Sequence, residues 1–150
     1  MIRVYNIIKN QLFLRANIHR DTINDILKID NKKFISSSKD NTIKYFKLSD
    51  NYLNYEIIKA IEVHRNEVNQ TIKLQMDNYY ASCSNDKNIC IWSFEENSNR
   101  FRPNLTLRGH ESKVITIFEL QNNSIVSASK AGFLKFWEKD LCIKSLEIGD

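Results

Sequence analysis

Ala81 to Phe94 reads ASCSNDKNICIWSF. On either side of its polar centre, Asn85-Asp86-Lys87-Asn88, small, β-branched and aromatic residues recur with a period of two, the mark of two strands joined by a tight hairpin. The stretch has two companions, ISSSKDNTIKYFKL from Ile35 and VSASKAGFLKFWEK from Val126, so successive starts lie 46 and 45 residues apart. A histidine precedes each segment. The chain's three histidines, His19, His64 and His110, stand 45 and 46 residues apart. Spacing this regular in so rare a residue marks an internal repeat.

Working outward, each unit reads as four strands, a to d. In the second unit they are expected at Asn69 to Leu74, Tyr79 to Ser84, Asn88 to Ser93 and Asn104 to Arg108. The first unit places them at Ile23 to Ile29, Phe34 to Ser38, Thr42 to Lys47 and Tyr55 to Ile61, and the third runs from Val114 to Ile148. Turn pairs punctuate the strands: Asp30-Asn31, Asp77-Asn78 and Asn122-Asn123, then Asp40-Asn41, Asp86-Lys87 and Ala131-Gly132. Asn and Asp tolerate the left-handed backbone of tight hairpins, which lets the chain manage with three glycines. The leading segment IRVYNI matches IKYFKL and ICIWSF, so residues 1–15 read as strands c and d of a further unit, and the strands number about fourteen. Ser49 to Asn54 and Glu95 to Asn99 read as lengthened c-to-d loops, with Glu95-Glu96 solvated.

Composition narrows the class. With 42% hydrophobic residues in 150, the chain can build a core. The net charge of +4 includes no run of like charges, and Arg100, Arg102 and Arg108 are read as a loose solvated cluster, so a nucleic-acid surface finds little support. The N-terminal stretch MIRVYNIIKNQLFLR lacks the apolar core of a signal peptide, and no segment reaches about 18 apolar residues, so an intracellular, cytoplasmic protein is expected, with the nucleus left open. Cys83, Cys90 and Cys142 show no C-x-x-C spacing and read as reduced, mostly buried small residues; no metal and no cofactor is expected.

These residues resemble the WD-repeat family of β-propellers along nearly the whole chain. That family's unit opens with Gly-His, carries Ser-x-Ser-x-Asp and ends its third strand with Trp-Asp. Here Gly109-His110 matches the opening, Ser82, Ser84 and Asp86 the middle, and Trp92 the aromatic. Elsewhere the pattern erodes: Ile18-His19 and Val63-His64 replace Gly-His, the tryptophan position holds Tyr5, Phe46, Trp92 and Trp137, and Ala131 replaces the turn aspartate in the third unit. The kelch double glycine is absent. The resemblance implies an all-β partial propeller of about 3.5 four-stranded antiparallel blades. Its half-blade would span 1–15 and its blades about 19–61, 64–108 and 110–148.

The resemblance also implies roles. A buried structural network would join His19, Asp40 and Phe46 in the first unit; His64, Ser82, Ser84, Asp86 and Trp92 in the second; and His110, Ser127, Ser129 and Trp137 in the third, weakened in the first and third. Read as chemistry, His64, Asp86 and Ser82 or Ser84 form a hydrolase triad. The set recurs with His19, Asp40 and Ser36 or Ser38, whereas an active site needs one constellation in one cleft, and no phosphate loop, H-E-x-x-H or nucleophile elbow is present. The chain is therefore expected not to be an enzyme. A partner-binding rim on the d-to-a loops and b-to-c turns would carry Thr22, Asn24 and Lys39; Glu67, Asn69 and Asn85; and Lys113, Ile115 and Lys130, its three lysines suited to an acidic peptide.

Closure sets a further expectation. Four strands about 4.8 Å apart and about 17 Å long present roughly 300 Å² of blade face, and at about 25 cal/mol per Å² leaving it wet forfeits on the order of 8 kcal/mol. That rivals the stability of a whole domain. The chain is thus expected to be part of a longer propeller or of an assembly with a second copy; its start at strand c points to a fragment or an incomplete gene model. The leading functional expectation is a non-catalytic protein-protein interaction scaffold within a larger propeller or complex. Its alternatives are a truncated propeller without independent activity and a nucleic-acid or chromatin-associated propeller with the lysine rim on phosphates.

Overall fold

Fourteen strands and no helix make up the chain, among the residues that a computed structural model describes, 1–6 and 8–148. Ile7, the last position of IRVYNI, lies outside the described residues. β1 (Ile2–Asn6) and β2 (Gln11–Ala16) form a two-stranded antiparallel sheet. Three four-stranded antiparallel sheets follow in simple meander order. Blade 1 comprises β3 (Ile23–Lys28), β4 (Lys33–Ser38), β5 (Ile43–Leu48) and β6 (Tyr55–Ile61). Blade 2 comprises β7 (Val68–Lys73), β8 (Tyr79–Ser84), β9 (Ile89–Glu95) and β10 (Arg100–Leu107). Blade 3 comprises β11 (Val114–Glu119), β12 (Ile125–Ser129), β13 (Phe133–Glu138) and β14 (Leu141–Glu147).

The hairpins close where the turn residues lie. Asn41, Asn78 and Asn123 adopt positive φ, as does Gly132. Lys87 does so too, at φ 73, in the position that Asn41 and Gly132 fill in the neighbouring blades, although a lysine Cβ is crowded there. One c-to-d connection is shorter than the sequence led us to expect: β10 begins at Arg100, paired with Glu95, so Glu96 to Asn99 is a tight turn and not a long loop. Its polar composition hid the pairing. The irregularity between Pro103 and Leu105 then absorbs the proline, which cannot donate to the ladder. Glu96 is likewise not solvated as read from sequence: it accepts Lys33 Nζ of blade 1 at 2.7 Å and the Tyr45 hydroxyl at 3.4 Å, and burial with this carboxylate pushes the Tyr45 phenol up.

The blades stack face to face, with β3 meeting β7 and β7 meeting β11. Alternation along each strand splits its side chains between two interfaces. Between blades 1 and 2, Ile35, Ile43 and Tyr45 meet Val68, Tyr80 and Trp92, with Leu27 and Ile29 packed alongside. Between blades 2 and 3, Ala81, Cys83 and Ile89 meet Val114, Ile117, Ile125 and Trp137, with Ile72 and Leu74 alongside. The half-blade closes Phe46 and Leu48 of blade 1 with Ile2, Val4 and Leu14. Polar stitches accompany these contacts: Asp25 accepts Thr71 N at 3.2 Å, and Gln70 accepts Ile117 N at 2.8 Å.

The stack has two open faces. Ile26 is 46% exposed, whereas Thr71 and Ile117, its matches in the later blades, are buried against the preceding blade. At the other end, Phe118 and Leu120 are 57% and 37% exposed, although their matches, Ile72 and Leu74, pack into the interface between blades 2 and 3.

Candidate functional site

A histidine enters each blade just ahead of its first strand and meets the second strand and the following turn. In blade 2, His64 Nδ1 lies 2.9 Å from Asp86 Oδ2 and its Nε2 lies 2.9 Å from Ser82 Oγ, which also accepts the Trp92 indole N–H at 3.2 Å. Asp86 further accepts the backbone N–H groups of Arg65 and Asn88, each at 3.0 Å. Ser84 does not touch the histidine: its hydroxyl donates to Asn66 O at 3.1 Å and accepts Asp86 N at 3.0 Å, fixing the turn. Blade 1 repeats this with His19 to Asp40 at 2.9 Å and to Ser36 at 2.7 Å. Phe46 brings no indole donor there, but Thr42, which the sequence reading passed over, donates its hydroxyl to Asp40 at 2.6 Å. Ser38 takes the place of Ser84, donating to Thr22 O at 2.8 Å.

Blade 3 keeps half of the set. His110 Nε2 lies 2.7 Å from Ser127 Oγ, and the Trp137 indole donates to the same oxygen at 2.8 Å. With Ala131 in the turn there is no carboxylate for Nδ1, which has no partner among the described residues although His110 is only 6% exposed. Gly109, at φ 144, passes close to the Trp137 ring; a Cβ there would stand 3.4 Å from it.

These environments set the protonation. Burial alone would lower His64, but the bonds to Asp86 and Cys90 outweigh it and raise the imidazole to about 9. In blade 1, Lys44 occupies the position of Cys90, and burial together with that cation holds His19 below its ordinary value despite Asp40. Burial opposes the charge on Asp40, yet bonds from Thr42, Arg20 N and His19 pull it well below the carboxylate range. Burial and Lys135 push His110 down to about 4.

Neither serine facing an aspartate-paired histidine is open to solvent. Ser36 and Ser82 are fully buried, and Ser82 Oγ is engaged by the Trp92 indole as well as by its histidine. The arrangement has triad distances without an open cleft above the hydroxyl. Among the described residues no cluster of three or more His, Cys, Asp or Glu has a metal-holding arrangement, and no helix is long and apolar enough to cross a membrane. Cys83 and Cys90 are buried and Cys142 is exposed, none in a disulfide; burial pushes the Cys83 thiol up to about 12.

The residues nominated for a rim divide in two. Backbone bonds tie each d-to-a loop to its b-to-c turn: Lys39 N to Thr22 O, Asn85 N to Glu67 O and Lys130 N to Lys113 O, each at 2.9 Å. Four side chains also act as braces, Asn24 while exposed and Glu67, Asn69 and Asn85 half-buried. Asn24 donates to Val68 O at 2.9 Å and Asn69 to Val114 O at 2.6 Å, stitching each blade to the next, while Asn85 donates to Glu67 at 3.0 Å. Thr22, Lys39, Lys113, Ile115 and Lys130 are exposed. A cavity of about 530 Å³ lies elsewhere, between blades 2 and 3 beneath Leu74, Met76, Leu105 and Trp137, and no rim residue lines it.

Residues 56–93 match the family described as WD domain, G-beta repeat, which takes in His64, Ser82, Asp86 and Trp92. One repeat of the chain, across blades 1 and 2, thus matches the WD-repeat family. Its fold is similar to the WD40 beta propeller domain of Doa1, at a TM-score of 0.74 and 25% identity over 92% of this chain and 45% of that one. Over 74 residues it is 34% identical to the Protein transport protein SEC13-2 of Candida glabrata, a match that covers 46% of this chain and 24% of that protein. The chain thus spans under half the length of either relative. Within the WD-repeat frame, blade 2 is the regular unit, blade 1 has Phe46 in place of the indole and adds the Thr42 bond to Asp40, and blade 3 has lost the aspartate.

Proposed function

We propose that this chain is a non-catalytic protein-interaction scaffold of the WD-repeat type that works as part of a larger ring, its third blade face engaged by further β-blade structure. The observation that carries the reading is Phe118. It holds the position where Ile72 is packed under the next blade, yet it stands open to solvent beside Leu120. Val126, Ala128, Leu134 and Phe136 on the same face are half-buried. The side chains that would stitch a following blade are also changed: Ile115 stands where Asn24 and Asn69 donate to their neighbours, and Thr116 is already committed to Gln70 at 2.9 Å. The face is therefore more apolar and less bonded than the internal ones. Apolar area of this kind marks an interface.

Fully buried serines in the two complete His-Asp-Ser sets support the non-catalytic part of the reading. Lys39 and Lys130 hold matching b-to-c turns, Lys113 lies on the adjoining d-to-a loop, and all three are exposed, which fits a protein partner with acidic side chains on that end of the blades. Light scattering on the purified chain, paired with binding of an apolar-surface dye, tests the proposal. Self-association or dye binding that Phe118→Glu abolishes is the expected result; a monomer that binds no dye overturns it.

A further inference from the structure

Blade 3, which lacks the turn aspartate, has a cavity of about 270 Å³ beside His110, walled by Glu111, Ser129, Ala131, Phe133 and Lys135. Blade 1 has a cavity of its own at the same place, about 450 Å³, walled by Arg20, Asp40, Thr42 and Lys44, but there and in blade 2 the histidine nitrogen is satisfied from within. There the Asp40 or Asp86 carboxylate accepts the histidine Nδ1–H together with the next residue's backbone N–H, from Arg20 or Arg65. In blade 3 the serine and the indole are unchanged, the imidazole is as deeply buried as His64, and Glu111 supplies the matching N–H, but Ala131 offers no acceptor.

We propose that this cavity is a carboxylate-binding site, in which an acidic group from outside the chain takes the position that Asp40 and Asp86 occupy in the other blades. Three features of the site favour such a ligand. A buried polar nitrogen without a partner is a standing deficit that an acceptor removes. The cavity exceeds the roughly 30 Å³ share of a water molecule several-fold, so a carboxylate fits. Lys135 brings a cation to the wall, against which stands the exposed carboxylate of Glu111. Burial and Lys135 keep the ring neutral, so it meets an anion as an N–H donor. The site is separate from the open face of the blade and does not depend on what covers that face. Its ligand chemistry has two sources, a small free carboxylate or an aspartate or glutamate side chain of a protein.

Long-range proton-nitrogen correlation spectra of the full chain, labelled with ¹⁵N-histidine, read the site directly because there are three histidines to resolve. Sodium formate should shift the His110 ring nitrogens saturably and leave His19 and His64 in place, while sodium chloride at equal ionic strength does neither. Ala131→Asp, which supplies the acceptor that Asp40 and Asp86 supply in the other blades, should weaken formate binding at least about tenfold, the worth of one charge-assisted bond. Lys135→Gln should weaken it and Glu111→Gln strengthen it, and these two keep the test open if Ala131→Asp does not fold. A short peptide with one aspartate, run against its asparagine counterpart, separates the sources: tighter binding than formate assigns the site to a protein side chain, and formate binding alone assigns it to a small carboxylate. If neither probe moves His110, or chloride moves it equally, the proposal is overturned.

Discussion

Phe118 and Ile72 hold the same place in successive blades, and one is open where the other is sealed: Ile72 packs against blade 3, whereas Phe118 is 57% exposed. Equivalent positions in a repeat share their backbone environment, so the difference comes from the neighbour alone.

Substitution should separate the two environments. Phe118→Glu is expected to leave the unfolding free energy within about 0.5 kcal/mol while reducing self-association, because little packing is lost in the monomer. Ile117→Ala, one residue away but buried against blade 2, should cost about 3 kcal/mol. Urea denaturation of both variants checks this; equal losses would contradict the assigned facing.

Asp86→Ala should be among the most damaging single changes. It strips His64 of its carboxylate and leaves the N–H groups of Arg65 and Asn88 without their acceptor, at a cost of about 3 kcal/mol. A catalytic aspartate would instead leave stability largely intact, so a denaturation curve distinguishes the two roles.

The histidines pull stability in opposite directions with pH. His64 is raised from 6.5 to about 9, so the folded state binds its proton more tightly, and that contribution is complete below pH 6.5 and lost as pH rises through 9. His110 is lowered from 6.5 to about 4, so its contribution is present above pH 6.5 and lost as pH falls toward 4. The urea midpoint should therefore peak near the ordinary histidine value of 6.5. His110→Asn should flatten the acid limb, and Asp86→Asn the alkaline one.

Ala131→Asp should raise stability by about 1 kcal/mol, since it gives His110 Nδ1 an acceptor in the geometry that blades 1 and 2 already use. Thermal unfolding measures it. An unchanged or lower midpoint would mean that the blade 3 turn cannot present the carboxylate.

Lys87→Asn should gain about 0.5 kcal/mol, because the left-handed φ of 73 strains a lysine more than an asparagine. A denaturation midpoint at or below that of the parent chain would show that the turn is relaxed as it stands.

The blades themselves were legible in the chain. Strand alternation and turn residues act over a few positions, so ASCSNDKNICIWSF and its two companions fixed the register of every unit and the place of each histidine. The polar run Glu95 to Asn99 misled, because composition alone could not show Arg100 pairing with Glu95. Two serines fit the histidine equally well by spacing, and only the folded hairpin showed Ser36 and Ser82 facing the ring while Ser38 and Ser84 hold the turns. That the side chains of Asn24, Asn69 and Glu67 also serve as braces was not legible, because their partners sit on an adjacent blade or across a turn.

What the sequence determined by itself was therefore everything set by local periodicity: the all-β class, the strands, the turns and the repeating His-Ser-aromatic register. What the tertiary structure decided was which faces are spent and which are open. The exposure of Phe118, the stitch from Gln70 to Ile117 and the unpartnered Nδ1 of His110 arise from groups brought together across 46 residues or more, or from one that never arrives. Blade stacking joins surfaces a whole repeat apart, and no pattern within one repeat records whether the next surface is there.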